Sequence, residues 1–298
     1  MTRGGARDPR NDARGTGGLA SARVIVLTSL AMLAFAGNSL LCRLALAHTA
    51  IDPASFTAIR LLSGAAMLSV AVRLRGGRWR AGGNWWSALA LVAYAVTFSL
   101  AYVGLSAATG ALLLFGAVQA TMIGVAVRRG ERLHGAQFAG LALALGGLVA
   151  LLLPGLSAPP IGRAALMLGA GVAWGVYSLR GQGAGEATVV NAGNFLRAAP
   201  LAVALSLALS HGATPDPAGV GYAIASGALA SGVGYAIWYA ALPSLRSTTA
   251  AVVQLSVPAL ATLGGAALLG EPITARVVLA SGAILGGIAT VVLGRRRT

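Results

Sequence analysis

Long apolar runs separated by short polar breaks set the pattern of this chain. Runs near the roughly 20 residues that a helix needs to cross a hydrocarbon core occupy about 24–47, 53–72, 84–105, 107–127 and 135–153. Five more follow at about 161–180, 187–209, 218–241, 247–269 and 273–293. Several breaks are only a few residues long, so neighbouring helices are expected to be antiparallel hairpins. Pro154, Pro159 and Pro160 mark the longest outer break, between the fifth and sixth runs. The first run follows a basic stretch and ends in Ala45-Leu46-Ala47, like a cleavable signal. Its length of about 24 residues exceeds a signal core of roughly 7–15, so it reads as the first helix. The expected fold class is an all-α membrane protein of ten transmembrane helices, with no separate soluble domain.

Charge orients these helices. All 22 basic residues are arginine, against 7 acids, for a net charge of +15. With the N-terminus inside, one side collects Arg3, Arg7, Arg10, Arg14, Arg23, Arg73, Arg75, Arg78 and Arg80. The same side takes Arg128, Arg129, Arg132, Arg180, Arg246 and the terminal Arg295, Arg296 and Arg297. The other side receives only Arg163 and Arg276, while Arg43, Arg60 and Arg197 fall within runs. A split of seventeen to two follows the positive-inside rule and places both termini in the cytoplasm. Only 10% of the residues are charged and mean hydropathy is +0.79, against roughly 25% charged in a soluble domain. The arginines cluster between apolar runs rather than on an aromatic-interleaved face, so nucleic acid is not an expected partner. A single cysteine, Cys42, excludes an intramolecular disulfide and a cysteine metal cage.

The two halves resemble each other in order and spacing. Phe35-Ala36-Gly37-Asn38-Ser39 lines up with Trp174-Gly175-Val176-Tyr177-Ser178, and Arg60 with Arg197. Tyr102-Val103-Gly104-Leu105 matches Tyr239-Ala240-Ala241-Leu242, and Gly130-Glu131 matches Gly270-Glu271. Five runs per half is an odd number, so the halves would cross the membrane in opposite directions, as in secondary transporters. The expected organisation is a basic cytoplasmic tail over 1–23, a first five-helix repeat over 24–153, a second over 161–293, and a basic tail over 294–298. Gly37, Gly175, Gly232, Gly234 and Gly265 are placed to permit close helix approach or hinge movement.

The aromatic-glycine patches of the first and sixth runs, with Gly130-Glu131-Arg132-Leu133, Gly270-Glu271-Pro272-Ile273 and Pro258, make the chain resemble the drug/metabolite transporter superfamily. Within it the chain is similar to the EamA-like ten-helix group, and more specifically to the aromatic or neutral amino-acid exporter branch. The resemblance covers about residues 24–293. Two departures stand out: Val118 and Gln119 occupy a stretch where a proline is usual, and Arg43 replaces a usual lysine. The resemblance implies export of amino acids or other metabolites.

Polar and aromatic side chains at membrane depth are the candidate chemistry. Tyr94, Phe98 and Tyr102 recur every four residues along one face of the third run. Tyr235, Trp238 and Tyr239 share a face of the eighth, and Trp174, Tyr177 and Ser178 a face of the sixth, with Asn38 and Ser39 at the equivalent level of the first. These residues are expected to wall a central cavity between runs one, three, six and eight. Asn38, Tyr94, Phe98, Tyr102, Trp174, Tyr177, Tyr235, Trp238 and Tyr239 are the candidate substrate contacts. Aromatic rings suit apolar side chains, and their O–H and N–H groups suit a polar head. Interfacial belts or helix packing are the competing use of the same rings.

Gln119 and Gln254 are expected to bond between helices, and Asn191 and Asn194 to be end-of-helix polar groups. Arg60 and Arg197 lie about seven and ten residues inside their runs, too deep for simple snorkelling. Two readings remain open: one of them attracts a substrate carboxylate, or both cap carbonyls in symmetric positions, which their symmetry favours. All seven acids, Asp8, Asp12, Asp52, Glu131, Glu186, Asp216 and Glu271, lie outside runs or at their ends, as do His48, His134 and His211. No buried carboxylate is therefore available as a proton carrier, and Glu131 and Glu271 are expected to brace helix ends with arginines.

No zinc-protease, P-loop or Ser/His/Asp pattern occurs at membrane depth, so neither an enzyme nor a bound metal or cofactor is expected. The expected function is a secondary transporter in a bacterial inner membrane, exporting aromatic or other neutral amino acids by alternating access. A different small metabolite or drug-like solute, or a channel-like facilitator, is the alternative. Its partners would be the small-molecule substrate and the lipid bilayer, with a monomer as the sufficient unit.

Overall fold

The computed structural model describes residues 9–77, 82–128, 130, 135–153, 158–181, 184–209, 216–241, 244–245 and 253–294, with backbone alone for 9–21, 239 and 292–294. Helices stand at each of the ten expected positions. They are α1 (Pro9–His48), α2 (Pro53–Leu74), α3 (Trp85–Tyr102), α4 (Ala107–Arg128) and α5 (Gly135–Leu152). The second half holds α6 (Ile161–Gly181), α7 (Ala187–Leu209), α8 (Pro217–Ile224, continuing through Ala225–Val233 to Gly234–Ala241), α9 (Ser256–Leu269) and α10 (Ala275–Gly294). Seven, the apolar parts of α1 to α5, α7 and α8, are long and apolar enough to cross a membrane, and α9 and α10 are shorter apolar helices. α6 has the length, with Arg163 and Arg180 near its ends lowering its hydropathy.

Local chemistry explains the boundaries. Asp52 caps α2 by accepting the N–H groups of Ala54 and Ser55 at 2.9 and 3.0 Å, with Pro53 in the first turn. Asn84 caps α3 through the N–H of Ser87. Asp216 caps α8 through Ala218 and Gly219. At the other end of α9, Gly270 takes the left-handed conformation, φ 64°, that ends a helix most cheaply in glycine. Two departures from expectation are visible. α1 runs back to Pro9, well into the expected tail, and α9 begins at Ser256 behind a turn at Leu255, with residues 246–252 of the expected run outside the described set.

Many large apolar side chains point outward, among them Phe138, Leu207 and Leu279, the surface a bilayer covers rather than water. Inside, α2 packs on α7, α3 and α4 on α6, α1 on α8 and α9, α4 on α9, and α5 on α10. Gln137 of α5 donates to the Val291 carbonyl of α10, tying that last pair. Pro200 stands within α7 and removes one ladder bond. The middle of α8, Ala225–Val233, winds as a π-helix, a rare geometry that shifts side-chain register within a helix. Gly227 on this segment lies so close to α2 that a Cβ there would sit 2.1 Å from the carbonyl oxygen of Arg60. Gly37, by contrast, faces open space and mediates no close approach.

Asp216 also reaches across to the α1–α2 connection, accepting the Ala50 N–H at 2.8 Å. That bond holds its carboxyl below the usual carboxylate range, opposed by partial desolvation and helped by the bonds from Gly219 and Ala218. A group depressed in the folded state contributes stability above its ordinary range and loses it as pH falls through the folded value. Asp216→Asn is therefore expected to lower the thermal midpoint in detergent at neutral pH, with the gap to wild type closing as the carboxylate is acidified. A gap independent of pH would contradict this.

Candidate functional site

A ladder of rings runs through the centre of the bundle. Tyr102 and Phe98 meet edge-on at 4.8 Å, Phe98 and Tyr94 at 5.3 Å, and Tyr94 and Trp174 at 4.9 Å. Trp174 then stacks on Tyr177 at 5.5 Å and leans on Tyr235 at 5.1 Å. Phe35 of α1 closes the set against Tyr235 and Trp238. Such offset and edge contacts are the favoured geometry for aromatic pairs, worth about 0.5–1.5 kcal/mol each beyond burial.

Where Tyr94, Trp174 and Tyr235 converge they enclose a cavity with Phe35, Asn38, Ser39, Leu114 and Phe115. Its volume of about 20 Å³ is room for about one water, so the bundle here is shut around its centre. Of the expected contacts, Asn38, Tyr94, Trp174 and Tyr235 line this space. Phe98 and Tyr102 are fully buried further along α3, and Tyr177 and Trp238 pack beside the cavity rather than on it. The side chain of Tyr239 lies outside the described set, as do residues 131–134 with Glu131. Sequence reasoning did not single out Phe35 as a contact, nor Leu114 and Phe115. Phe35 was legible through its match to Trp174, whereas the two α4 residues sit in an unbroken apolar run without a distinguishing signal.

A polar chain crosses this aromatic wall. Ser226 donates to Asn38 Oδ1 at 2.7 Å, and Asn38 Nδ2 donates to the Tyr94 hydroxyl at 3.2 Å. Arg60 Nη2 donates to the same hydroxyl at 3.1 Å. Ser226 comes from the π-helical turn of α8, which sequence periodicity gave no reason to expect. Arg60 is 1% exposed and its guanidinium lies over the rings of Tyr94 and Phe98, 5.2 and 5.0 Å from their centroids. Burial of an uncompensated ion costs several kcal/mol. Two cation–π contacts of about 2 kcal/mol each when desolvated and one hydrogen bond offset part of that. Nε and Nη1 meet no hydrogen-bond partner among the described residues.

Arg197, the matching residue of the second half, is held quite differently. Its Nη1 donates to the carbonyls of Gly82 and Gly193 at 2.9 and 2.8 Å. Asn191 and Asn194 are buried, not end groups. Tyr177 donates to Asn191 Oδ1, Asn194 Nδ2 donates to Tyr177, and Asn194 Oδ1 accepts the Asn84 N–H. This knot joins α6, α7 and the start of α3. Gln119 faces a second small apolar cavity between α4, α5 and α10.

The opposite end of the bundle is closed by charge. Arg43 Nε pairs with Glu271 Oε1 at 2.8 Å, and Arg43 Nη1 donates to the Tyr102 and Val103 carbonyls at the end of α3. Glu271 Oε2 accepts the Ala107 N–H that opens α4. One ion pair thus joins α1, α3 and α4 to the α9–α10 connection. Among the described residues no group of three His, Cys, Asp or Glu side chains converges as a metal site would require. Glu271→Ala leaves both Arg43 and the Ala107 N–H without their acceptor in a mostly buried place. The expected cost is about 2–4 kcal/mol, read as a lower thermal midpoint in detergent, with Glu271→Gln losing less. Equal stability of both variants and wild type would contradict this role.

Residues 163–293 match the model of the EamA-like transporter family. An uncharacterized protein of Pseudomonas aeruginosa is 58% identical over 274 residues, which cover 92% of this chain and 96% of that protein. A solved crystal structure, 21% identical, superposes with a TM-score of 0.67 over 92% of this chain and 99% of its own. At that identity the likeness speaks for the fold. The chain carries an EamA-like transporter domain over residues 163–293, which places it with the drug/metabolite transporter superfamily, and its long apolar helices make it a multi-pass membrane protein.

Proposed function

We propose that this protein exports aromatic or other neutral amino acids across a bacterial inner membrane, by alternating access of the central aromatic cavity. The observation that carries the reading is the cavity itself, where Phe35, Trp174, Tyr235 and Tyr94 form an apolar wall beside the polar strip of Asn38 and Ser39. That combination suits a solute with an apolar side chain and a polar head.

The helix pairings support two inverted halves. Numbering each half one to five, α3 on α6 has its reciprocal in α1 on α8, and α4 on α6 in α1 on α9. The pairs α2 with α7, α4 with α9 and α5 with α10 map onto themselves. A two-fold relation in the membrane plane generates such a pattern, and rocking about it would open the cavity alternately to each side. In the conformation described, the Arg43–Glu271 pair shuts one end and the Tyr177–Asn191–Asn194 knot the other. All seven acids lie outside the runs or at their ends, which favours facilitated diffusion over proton exchange. The Pseudomonas relative supports a bacterial inner membrane as the location.

Labelled phenylalanine, tyrosine, leucine and alanine should exchange across proteoliposomes carrying the purified protein, without an imposed pH gradient. Trp174→Ala should cut the rate for aromatic substrates about tenfold or more, in line with the loss of a buried aromatic contact, with less effect on alanine. No exchange of any amino acid by wild type would overturn the substrate assignment, and full activity of Trp174→Ala would remove the cavity from the pathway.

A further inference from the structure

The hydrogen-bond inventory around Arg60 is one-sided. The Tyr94 hydroxyl accepts from both Arg60 Nη2 and Asn38 Nδ2, which occupies both of its lone pairs and leaves its own proton to be donated. Arg60 Nε and Nη1 add two more donor groups without an acceptor among the described residues. Every described carboxylate is committed elsewhere. Glu271 holds Arg43, Asp52 caps α2, Asp216 caps α8, and Glu186 accepts the N–H groups of Thr188 and Val189 at the start of α7. A guanidinium that cannot deprotonate therefore stands in the middle of the bundle beside spare donors and without a counter-charge among the described residues. Arg197 shows the alternative use of the same residue at the matching position, its Nη1 bonded to two backbone carbonyls.

We propose that Arg60, acting with the Tyr94 hydroxyl, forms a carboxylate-binding subsite at the edge of the aromatic cavity. Tyr94 lines the cavity and Arg60 lies one hydrogen bond behind it, so an oxygen that takes the Tyr94 proton sits next to the guanidinium. The cavity in its shut state is too small for such a guest, so binding requires the bundle to open around it, as alternating access would do. Charge-assisted hydrogen bonds of this kind are the strong ones, and a carboxylate would neutralise the buried cation as it binds. The subsite selects acids and zwitterions and rejects amines. It rests on the central cavity being the substrate pathway, as proposed above, but it makes a separate prediction about charge.

The test is the thermal midpoint and tryptophan fluorescence of the purified full chain in detergent, titrated with four compounds sharing a phenyl ring. L-phenylalanine and 3-phenylpropionate carry the carboxylate; L-phenylalaninamide and phenethylamine do not. Wild type is expected to be stabilised and quenched by the two acids, with the amide and amine about tenfold to a hundredfold weaker, the range for losing a hydrogen bond to a charged group. Arg60→Gln is expected to abolish that preference and Arg60→Lys to keep part of it. Should Arg60→Gln fail to fold, Tyr94→Phe decides, because it removes the hydroxyl and keeps the ring, and it is expected to narrow the acid preference. Equal binding of acid and amide by wild type, or an intact acid preference in Arg60→Gln or, if that variant does not fold, in Tyr94→Phe, overturns the proposal. So does displacement of the acids by equal concentrations of chloride, which would mark a general anion site. Binding of the acids without exchange of any amino acid in vesicles would overturn the amino-acid reading and leave the carboxylate subsite standing.

Discussion

An arginine buried in the middle of an apolar bundle obliges its neighbours to take particular places. The Arg60 guanidinium keeps its charge, so α3 must present the ring faces of Tyr94 and Phe98 to it and hold the Tyr94 oxygen within reach. That oxygen in turn fixes Asn38 on α1, and Asn38 fixes Ser226 on α8. For Ser226 to arrive, α8 winds through a π-helical turn and lays Gly227 against the backbone of α2 at Arg60 itself. The loop of dependencies closes on α1, α2, α3 and α8, and the cavity lies inside it.

The two ends of the bundle are closed by different chemistry. An ion pair with three backbone contacts holds α1, α3, α4 and the α9–α10 connection together at one end. At the other, the Tyr177–Asn191–Asn194 knot and two arginines without a carboxylate partner among the described residues, Arg180 on Ser87 and Asn84 and Arg197 on the Gly82 carbonyl, join α3, α6 and α7. Neutral hydrogen bonds contribute about 0.5–1.5 kcal/mol each and those to charged groups about 1.5–3, so neither closure is beyond what a bound solute can rearrange. A transporter needs that balance, because an end sealed by a large apolar core would open too rarely to carry flux.

Much of the architecture was legible in the residues. Apolar length located the helices, whereas the caps Asp52, Asn84 and Asp216 in front of Pro53, Trp85 and Pro217 emerged only with the structure. The four-residue rhythm of Tyr94, Phe98 and Tyr102 placed those rings on one face of α3. The same rhythm could not say that the two outer rings pack into the wall while Tyr94 meets the cavity, because that depends on where α6 and α8 cross α3. Arg60 and Arg197 looked equivalent in the sequence. Their surroundings separate them, since one meets aromatic faces and the other meets the Gly82–Gly193 backbone. The π-helical turn left no periodic trace, as a stretch of alanine, serine and glycine is compatible with several helical windings. Asn191 and Asn194 read as end groups because they follow Ala187 closely, yet the chain folds Tyr177 over them.

The most direct test of a central cavity with alternating access uses the position of Ser39, which lines it. In a Cys42→Ala background, which removes the chain's natural cysteine, Ser39→Cys would be exposed to a membrane-impermeant maleimide in right-side-out and in inside-out vesicles. Alternating access predicts labelling from both faces, slowed in each case by L-phenylalanine. Labelling from one face alone, or from neither, unaffected by the amino acid, would contradict it.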